Sequence, residues 1–264
     1  MFDLHSHILP GIDDGAKDKE MSLTMLQIAN ENNTKGIVAT PHVIEGKWLP
    51  TWDKILADCD ILQNTAQKAG INLPIFPGGE IAIHFDILDM LKGPGDYCIN
   101  GGRYLLVELP ASHIPSFTDD FFFTLQARGI TPILAHPERH PELAKKPEIL
   151  VEWIRKGILT QMNGTSIIGH MGERVMATAE LLLVNNMIHV FGSDAHRIRN
   201  RNTNLTSAAA KITELIGPKK TQDIILENPG HIINSRDVNT PEIGEIQYPR
   251  KNRGVIGWLG SLWK

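Results

Sequence analysis

The sequence predicts an α/β protein whose parallel strands close, or nearly close, into a β/α barrel. Three observations lead there. Short β-type runs alternate with helical runs along almost the whole chain, which is the signature of a parallel sheet with helices outside it. Seven such units fit into 264 residues, a length suited to one barrel domain. Histidine, aspartate and glutamate recur just after the strand-type runs, and in β/α barrels the carboxyl ends of the strands form the reactive face. A doubly wound open sheet is the structural alternative, because periodicity alone does not separate the two.

The elements follow in order. MFDL, residues 1–4, opens the chain as strand one, and a helix of apolar residues at helical spacing spans 19–33. GIVAT, 36–40, is strand two, followed by a helix over 51–69. LPIFPG, 73–78, is strand three, with a helix over 83–91. YLLVEL, 104–109, and TPILA, 131–135, are strands four and five, followed by helices over 119–128 and 147–156. ILTQM, 158–162, and MIHVFG, 187–192, are strands six and seven, with a helix over 172–186 between them and helices over 203–216 and 219–227 after. No Pro/Ser/Gly linker divides residues 1–239, so they read as one domain. Residues 240–264 depart from the alternation and read as a C-terminal tail of unassigned role.

Global features remove several functions. A net charge of −4 and the lack of a basic, aromatic-lined groove disfavour nucleic acid as a partner. No charged, apolar leader stands at the start and no apolar run reaches about 18 residues. The expectation is a cytoplasmic protein without a transmembrane segment. Two cysteines make no disulfide framework. Cys98 precedes Arg103 by one residue too few for the C-x5-R motif of thiol phosphatases, and Cys59 has Thr65 at that place. GxSxG and Walker motifs are missing as well.

The ligand-type residues fall on one end of the predicted strands. His5 and His7 follow strand one, His42 follows strand two in ATPH, and Glu80 follows strand three in PGGE. Glu108 ends strand four, His136 follows strand five in AHPER, and Asp194 and His196 follow strand seven in SDAH. Residues i and i+2 of an extended segment point to the same side, so His5 and His7 can grip one ion. Of the adjacent Asp13 and Asp14, Asp14 is favoured as ligand and Asp13 as its supporting or turn residue. Gln161 and Asn163 meet the same face after strand six, but amides say little about metal. Nine candidates exceed what one ion takes, so two or three ions sharing carboxylates are expected. A set of His and carboxylate without thiolate admits Mn, Fe, Co or Zn. Such a cluster suits displacement at phosphorus, hence hydrolysis of a phosphate ester.

The HxH start, the DDG turn, TPH, GGE, VEL, AHPER and SDAH, in this order, resemble the PHP (polymerase and histidinol phosphatase) superfamily. Over residues 1–234 the chain resembles the bacterial tyrosine-protein phosphatases of capsule and exopolysaccharide loci, the CpsB/YwqE type. The resemblance implies a distorted (β/α)7 barrel and a metal centre, most often manganese, held by His5, His7, Asp14, His42, Glu80, Glu108, His136, Asp194 and His196. It implies Arg139 and Arg201 as phosphate-binding groups, with Arg197 and Arg199 in the same loop as rivals. The expected nucleophile is water or hydroxide held by the ions. The implied partner is the phosphotyrosine tail of a bacterial tyrosine autokinase that governs polysaccharide synthesis. The loop 43–52, with Trp48 and Leu49, is expected to meet the phenyl ring or the peptide. The apolar end of the tail, GVIGWLGSLWK, offers a weak membrane or partner contact. Histidinol-phosphate phosphatase is the first alternative. A TatD-like nuclease, an amidohydrolase and a non-catalytic metal-binding domain follow it.

Overall fold

The computed structural model describes residues 1–248. In chain order its elements are β1 (Phe2–Ser6), α1 (Lys19–Glu31), β2 (Gly36–Ala39), β3 (His42–Val43), α2 (Trp52–Lys68), β4 (Ile75–Pro77), β5 (Glu80–Ala82), β6 (Tyr104–Glu108), α3 (Thr118–Ala127) and β7 (Thr131–Ala135). Then come α4 (Pro141–Lys145), α5 (Pro147–Arg155), β8 (Leu159–Asn163), α6 (Gly164–Ile167), α7 (Glu173–Val184), β9 (Val190–Gly192), α8 (Thr206–Ile216), α9 (Pro218–Gln222) and α10 (Asn228–Ile233).

All strand pairs are parallel, in two sheets ordered β1-β2-β4 and β3-β5-β6-β7-β8-β9. The predicted strands 36–40 and 73–78 continue past an interruption: β3 takes up β2 beyond Thr40–Pro41, and β5 takes up β4 beyond Gly78–Gly79. Proline has no N–H to give to a ladder, and the Pro41 carbonyl instead accepts from Glu80 N–H at 3.0 Å. The seven strand positions therefore stand, while the ladder does not run unbroken around a barrel. β9 lies beside β1 through a single bridge, Ser6 to Ala195. Two backbone bonds flank it: His7 N–H donates to Ala195 O at 3.0 Å, and Asp194 N–H to His5 O at 2.7 Å.

Alternation along the strands builds two apolar layers. Leu106 and Ile133 face inward with Leu4, Val38 and Val190, and Ile232 and Ile233 of α10 pack onto this inner cluster. Leu105, Val107 and Leu134 face outward, in the layer shared with Met25 of α1, Leu62 of α2, Phe121 of α3 and Leu150 of α5. Side chains fix two helix starts: Asp18 accepts from Met21 N–H and Thr51 from Lys54 N–H.

Several elements differ from the expectation. Residues 83–91 hold only a 3-10 turn, Asp86–Asp89. The helix over 219–227 splits into α9 and a π-helical turn, Asp223–Glu227. Strand seven is trimmed to β9. Helices α4, α6 and α10 are too short to announce themselves by periodicity. The tail up to residue 248 has no helix or strand. It is tied back where Gln247 N–H donates to Asn185 Oδ1 at 2.7 Å. GVIGWLGSLWK lies outside the described residues.

Candidate metal centre

The nine expected ligands converge at the carboxyl ends of the strands. Three groups of donor atoms lie within 4.8 Å of one another: His7, Asp14, His42 and His196; His5, His7 and Glu80; His42, Glu80 and Glu108. The remaining two join them. His136 Nε2 is 3.2 Å from Glu80 Oε1 and 3.5 Å from Glu108 Oε1. Asp194 Oδ1 is 3.3 Å from His196 Nδ1 and 3.6 Å from His7 Nε2.

Glu80 is the hub. Its carboxylate is 1% exposed and faces four imidazoles, those of His5, His7, His42 and His136, at 3.3, 3.3, 3.0 and 3.2 Å. Burial alone pushes its pKa up, but the surrounding histidines hold it well below the usual carboxylate range. Asp194 behaves alike: it is buried, yet His5, His136 and Arg201 keep it ionised. Glu108, at the mouth, is pushed up by burial and by the charge of Glu80. Burial and the neighbouring His7 lower His196 to about 3, so its imidazole is neutral. Glu80 Oε2 and His42 Nδ1 are buried with no hydrogen-bond partner. Two buried electron-pair donors left facing one another, inside a shell of imidazole and carboxylate, are what a divalent cation fits.

The DDG turn places its two aspartates differently. Asp14 Oδ1 sits 3.3 Å from His196 Nε2 and 3.5 Å from His42 Nε2. Asp13 stands behind, accepting from His7 Nδ1–H at 2.7 Å, His42 N–H at 3.0 Å and Gly15 N–H at 2.8 Å. Gly15 cannot be replaced simply, since a Cβ there would fall 2.4 Å from His7 Cβ.

The arginines of this region differ in placement. Arg139 Nη1 is 2.9 Å from Asp194 Oδ2 and Arg201 Nη2 is 2.7 Å from Asp194 Oδ1. Each side chain is about a third exposed, at 31% and 33%. Arg197 turns the other way and donates to the carbonyls of Asp14 and His196, each at 2.6 Å. Arg199 is exposed.

Two of these positions are backbone-strained. His136 and Asp194 have φ of 33° and 50°, a region that L-residues other than glycine seldom occupy. Their N–H groups are held at 2.7 Å by Gln161 O and His5 O respectively, which keeps the turns in place. The ring of Trp48 stacks on His42 at 5.3 Å with Lys47 Nζ 3.7 Å from its centroid, so it packs on a candidate ligand, while Leu49 is exposed. His140 is buried beside the Pro110 carbonyl. Cys59 and Cys98 are buried and free, and burial pushes their thiols up to about 12 and about 11.

The family described as "Capsular polysaccharide synthesis, CpsB/CapC" matches residues 1–234. The tyrosine-protein phosphatase YwqE of Bacillus subtilis (strain 168) is 34% identical over 259 residues, 98% of this chain and 100% of that protein. A solved structure from work on YwqE of Bacillus subtilis and CpsB of Streptococcus pneumoniae, described as unique metal-dependent tyrosine phosphatases, superposes with a TM-score of 0.86 at 30% identity. It covers 93% of this chain and 100% of that one. The lactonase Lmo2620 of Listeria monocytogenes shares the fold alone, with a TM-score of 0.56 at 13% identity over 91% of this chain and 95% of that one. With a family match over nearly its whole length and a relative aligned end to end, the chain belongs to the CpsB/CapC family of capsular polysaccharide synthesis.

Proposed function

We propose that this protein is a metal-dependent protein-tyrosine phosphatase whose ligands are His5, His7, Asp14, His42, Glu80, Glu108, His136, Asp194 and His196, with Arg139 and Arg201 binding the phosphoryl group. The observation that carries this reading is Glu80 among four imidazoles, next to an Asp194 that holds two half-open guanidiniums. Bound divalent ions contribute charge for the phosphoryl oxygens and hydroxide near neutral pH.

The chain's own groups do the rest. Asp194 aims Arg139 and Arg201 by one nitrogen each, and the planar guanidinium has further N–H donors for phosphate oxygens. These donors stand beside the ligand cluster, so a phosphate seated there is oriented from both sides. Phenolate leaves with a pKa of about 10 and needs little help from an acid. The buried, raised thiols take no part.

Manganese is our choice of ion from the family resemblance; a donor set of nitrogen and oxygen admits it, and no cysteine belongs to the candidate ligand groups among the described residues. The phosphotyrosine tail of a bacterial tyrosine autokinase is our choice of substrate, supported by the capsule-synthesis family. The cytoplasm is the compartment that such a substrate requires, and no helix among the described residues is long and apolar enough to cross a membrane.

The test is phosphate release from a phosphotyrosine peptide, a phosphoserine peptide and histidinol phosphate. It uses metal-stripped protein with and without Mn²⁺, beside His136→Ala. Metal-dependent release favouring phosphotyrosine, lost in the variant, is expected. Preference for histidinol phosphate moves the protein to that alternative, and release unaffected by chelation sinks the metal mechanism.

A further inference from the structure

β8 brings no expected ligand to the centre, yet its side chains form a continuous chain across it. His5 Nδ1 is 2.9 Å from Gln161 Oε1, Gln161 Nε2 is 2.9 Å from Asn163 Oδ1, and Asn163 Nδ2 is 2.7 Å from Asp194 Oδ2. All four side chains are buried, at 3% exposure or less. The chain therefore joins β1 to β9, the two strands linked by only one bridge.

The direction of every bond in it is forced from one end. Asp194 accepts from Arg139 Nη1 on Oδ2 and from Arg201 Nη2 on Oδ1, so both its oxygens already act as acceptors. Asn163 must present its NH₂ to Asp194, which leaves its carbonyl oxygen for Gln161. Gln161 must then donate to Asn163, which leaves its own carbonyl oxygen for His5. His5 must meet that oxygen with an N–H on Nδ1. With Nδ1 so committed, Nε2 is the ring atom turned to the centre, 3.3 Å from Glu80 and 3.7 Å from Asp194. No amide or tautomer needs to be assigned in advance, since the carboxylate sets them all.

A second observation shows that space is kept for this chain. Gly192 of β9 lies against it, and a Cβ there would fall 2.7 Å from His5 Cβ and 3.0 Å from Gln161 Nε2. Any larger residue would press on the first link.

We propose that Gln161 and Asn163 are positioning residues that link the acceptor Asp194 to the ring of His5, fixing the proton on Nδ1 and so turning Nε2 toward a metal ion. The proposal rests on the metal-centre reading above, and on nothing about the substrate. It also ties Arg139 and Arg201 to a ligand on the far side of the centre: they hold Asp194 by one nitrogen each, and Asp194 orders the chain.

The experiment reads the tautomer directly, by two-bond ¹H–¹⁵N correlation on ¹⁵N-histidine-labelled, metal-free protein at a pH where His5 is neutral. His5→Gln identifies the signal. Unconstrained neutral imidazole favours the proton on Nε2, so an Nδ1–H signal from His5 in the unaltered protein is the expected result, and an Nε2–H signal overturns the proposal without any variant at position 161. In Gln161→Leu the signal is expected to move toward Nε2–H, and affinity for Mn²⁺, measured by titration, to fall about 10–100-fold. Gln161→Glu still accepts from His5, so the Nδ1–H signal is expected to return with most of the affinity, while Asn163 loses its donor. A folded Gln161→Leu protein that keeps both tautomer and affinity refutes the role. Neither readout uses a phosphate ester, so a failed phosphatase assay leaves this test standing, and the reverse holds too.

Discussion

The Nδ1 of His7 lies 2.7 Å from the Oδ2 of Asp13, and this pair decides which ring nitrogen His7 shows to the centre. Asp13 accepts the Nδ1 proton, so Nε2 faces Glu80 and Asp194. Removing a carboxylate behind a metal-binding histidine costs about 10–100-fold in metal affinity or activity. We expect Asp13→Ala to raise the Mn²⁺ concentration needed for half-maximal activity by that factor, with the KM for aryl phosphate little changed. An unchanged metal requirement would falsify the supporting role of Asp13.

The same contact predicts a proton released on metal binding. Burial lowers the pKa of His7, but the Asp13 and Glu80 carboxylates overcome it and raise the imidazole to about 10 in the metal-free protein. Asp13 goes the opposite way, to about 2: burial favours its neutral form and loses to His7. At pH 7 the metal-free His7 is a cation, and an ion at Nε2 must displace its proton. Metal affinity should therefore fall about tenfold for each pH unit below about 10 through this residue. For folding the sign is reversed: the raised pKa stabilises the metal-free protein fully below the unfolded value of about 6.5, and this is lost as pH rises toward 10. Calorimetric titration with Mn²⁺ in buffers of different ionisation enthalpy should show about one proton released for His7, and a buffer-independent heat would count against it.

Three arginines in one neighbourhood should fail in two ways. Arg139→Ala and Arg201→Ala remove donors aimed at the phosphoryl group, with an expected loss of about 10²–10³ in kcat/KM at saturating metal. Arg197→Ala instead frees the Asp14 and His196 carbonyls. Its cost should be less than tenfold in kcat/KM and should appear as weaker metal binding. Steady-state kinetics over a metal series separates them, and an Arg197→Ala defect equal to that of Arg201→Ala would contradict the assignment.

Buried thiols with pKa values near 12 and 11 are poor nucleophiles. Iodoacetamide on folded protein should leave the activity within about twofold of untreated, as should Cys98→Ala. Inactivation that substrate protects against would reopen a thiol mechanism.

How much of this the sequence discloses depends on the residue. Strand-end histidines and carboxylates are legible because a strand is announced by its apolar run and the ligand stands just past it. Thus His136 after TPILA and Asp194 after VFGS need no tertiary information. Asp14 is separable from Asp13 on turn chemistry: the structure puts Asp14 beside His196 and Asp13 behind His7. β3 and β5 are not legible, because Pro41 and the Gly78–Gly79 pair look like stops when they only offset the strand into the neighbouring sheet. Trp48 reads as a surface aromatic, since stacking on His42 depends on a hairpin of the loop, Ile44 to Trp48. Gln161 and Asn163 are silent for a different reason: an amide has no charge to mark it, and its meaning comes from what stands at each end of it.

The two sheets give the centre a mechanical meaning. His5 and His7 leave the three-stranded sheet, while His42, Glu80, Glu108 and His136 belong to strands and strand ends of the six-stranded one. Between β1 and β9 the backbone offers one bridge and a few hydrogen bonds. Ions bound by both sets of residues would act as rivets along that seam. The metal-free protein would then breathe there first, and the amides of His7 and Asp194 would exchange with solvent well before those of β6 and β7.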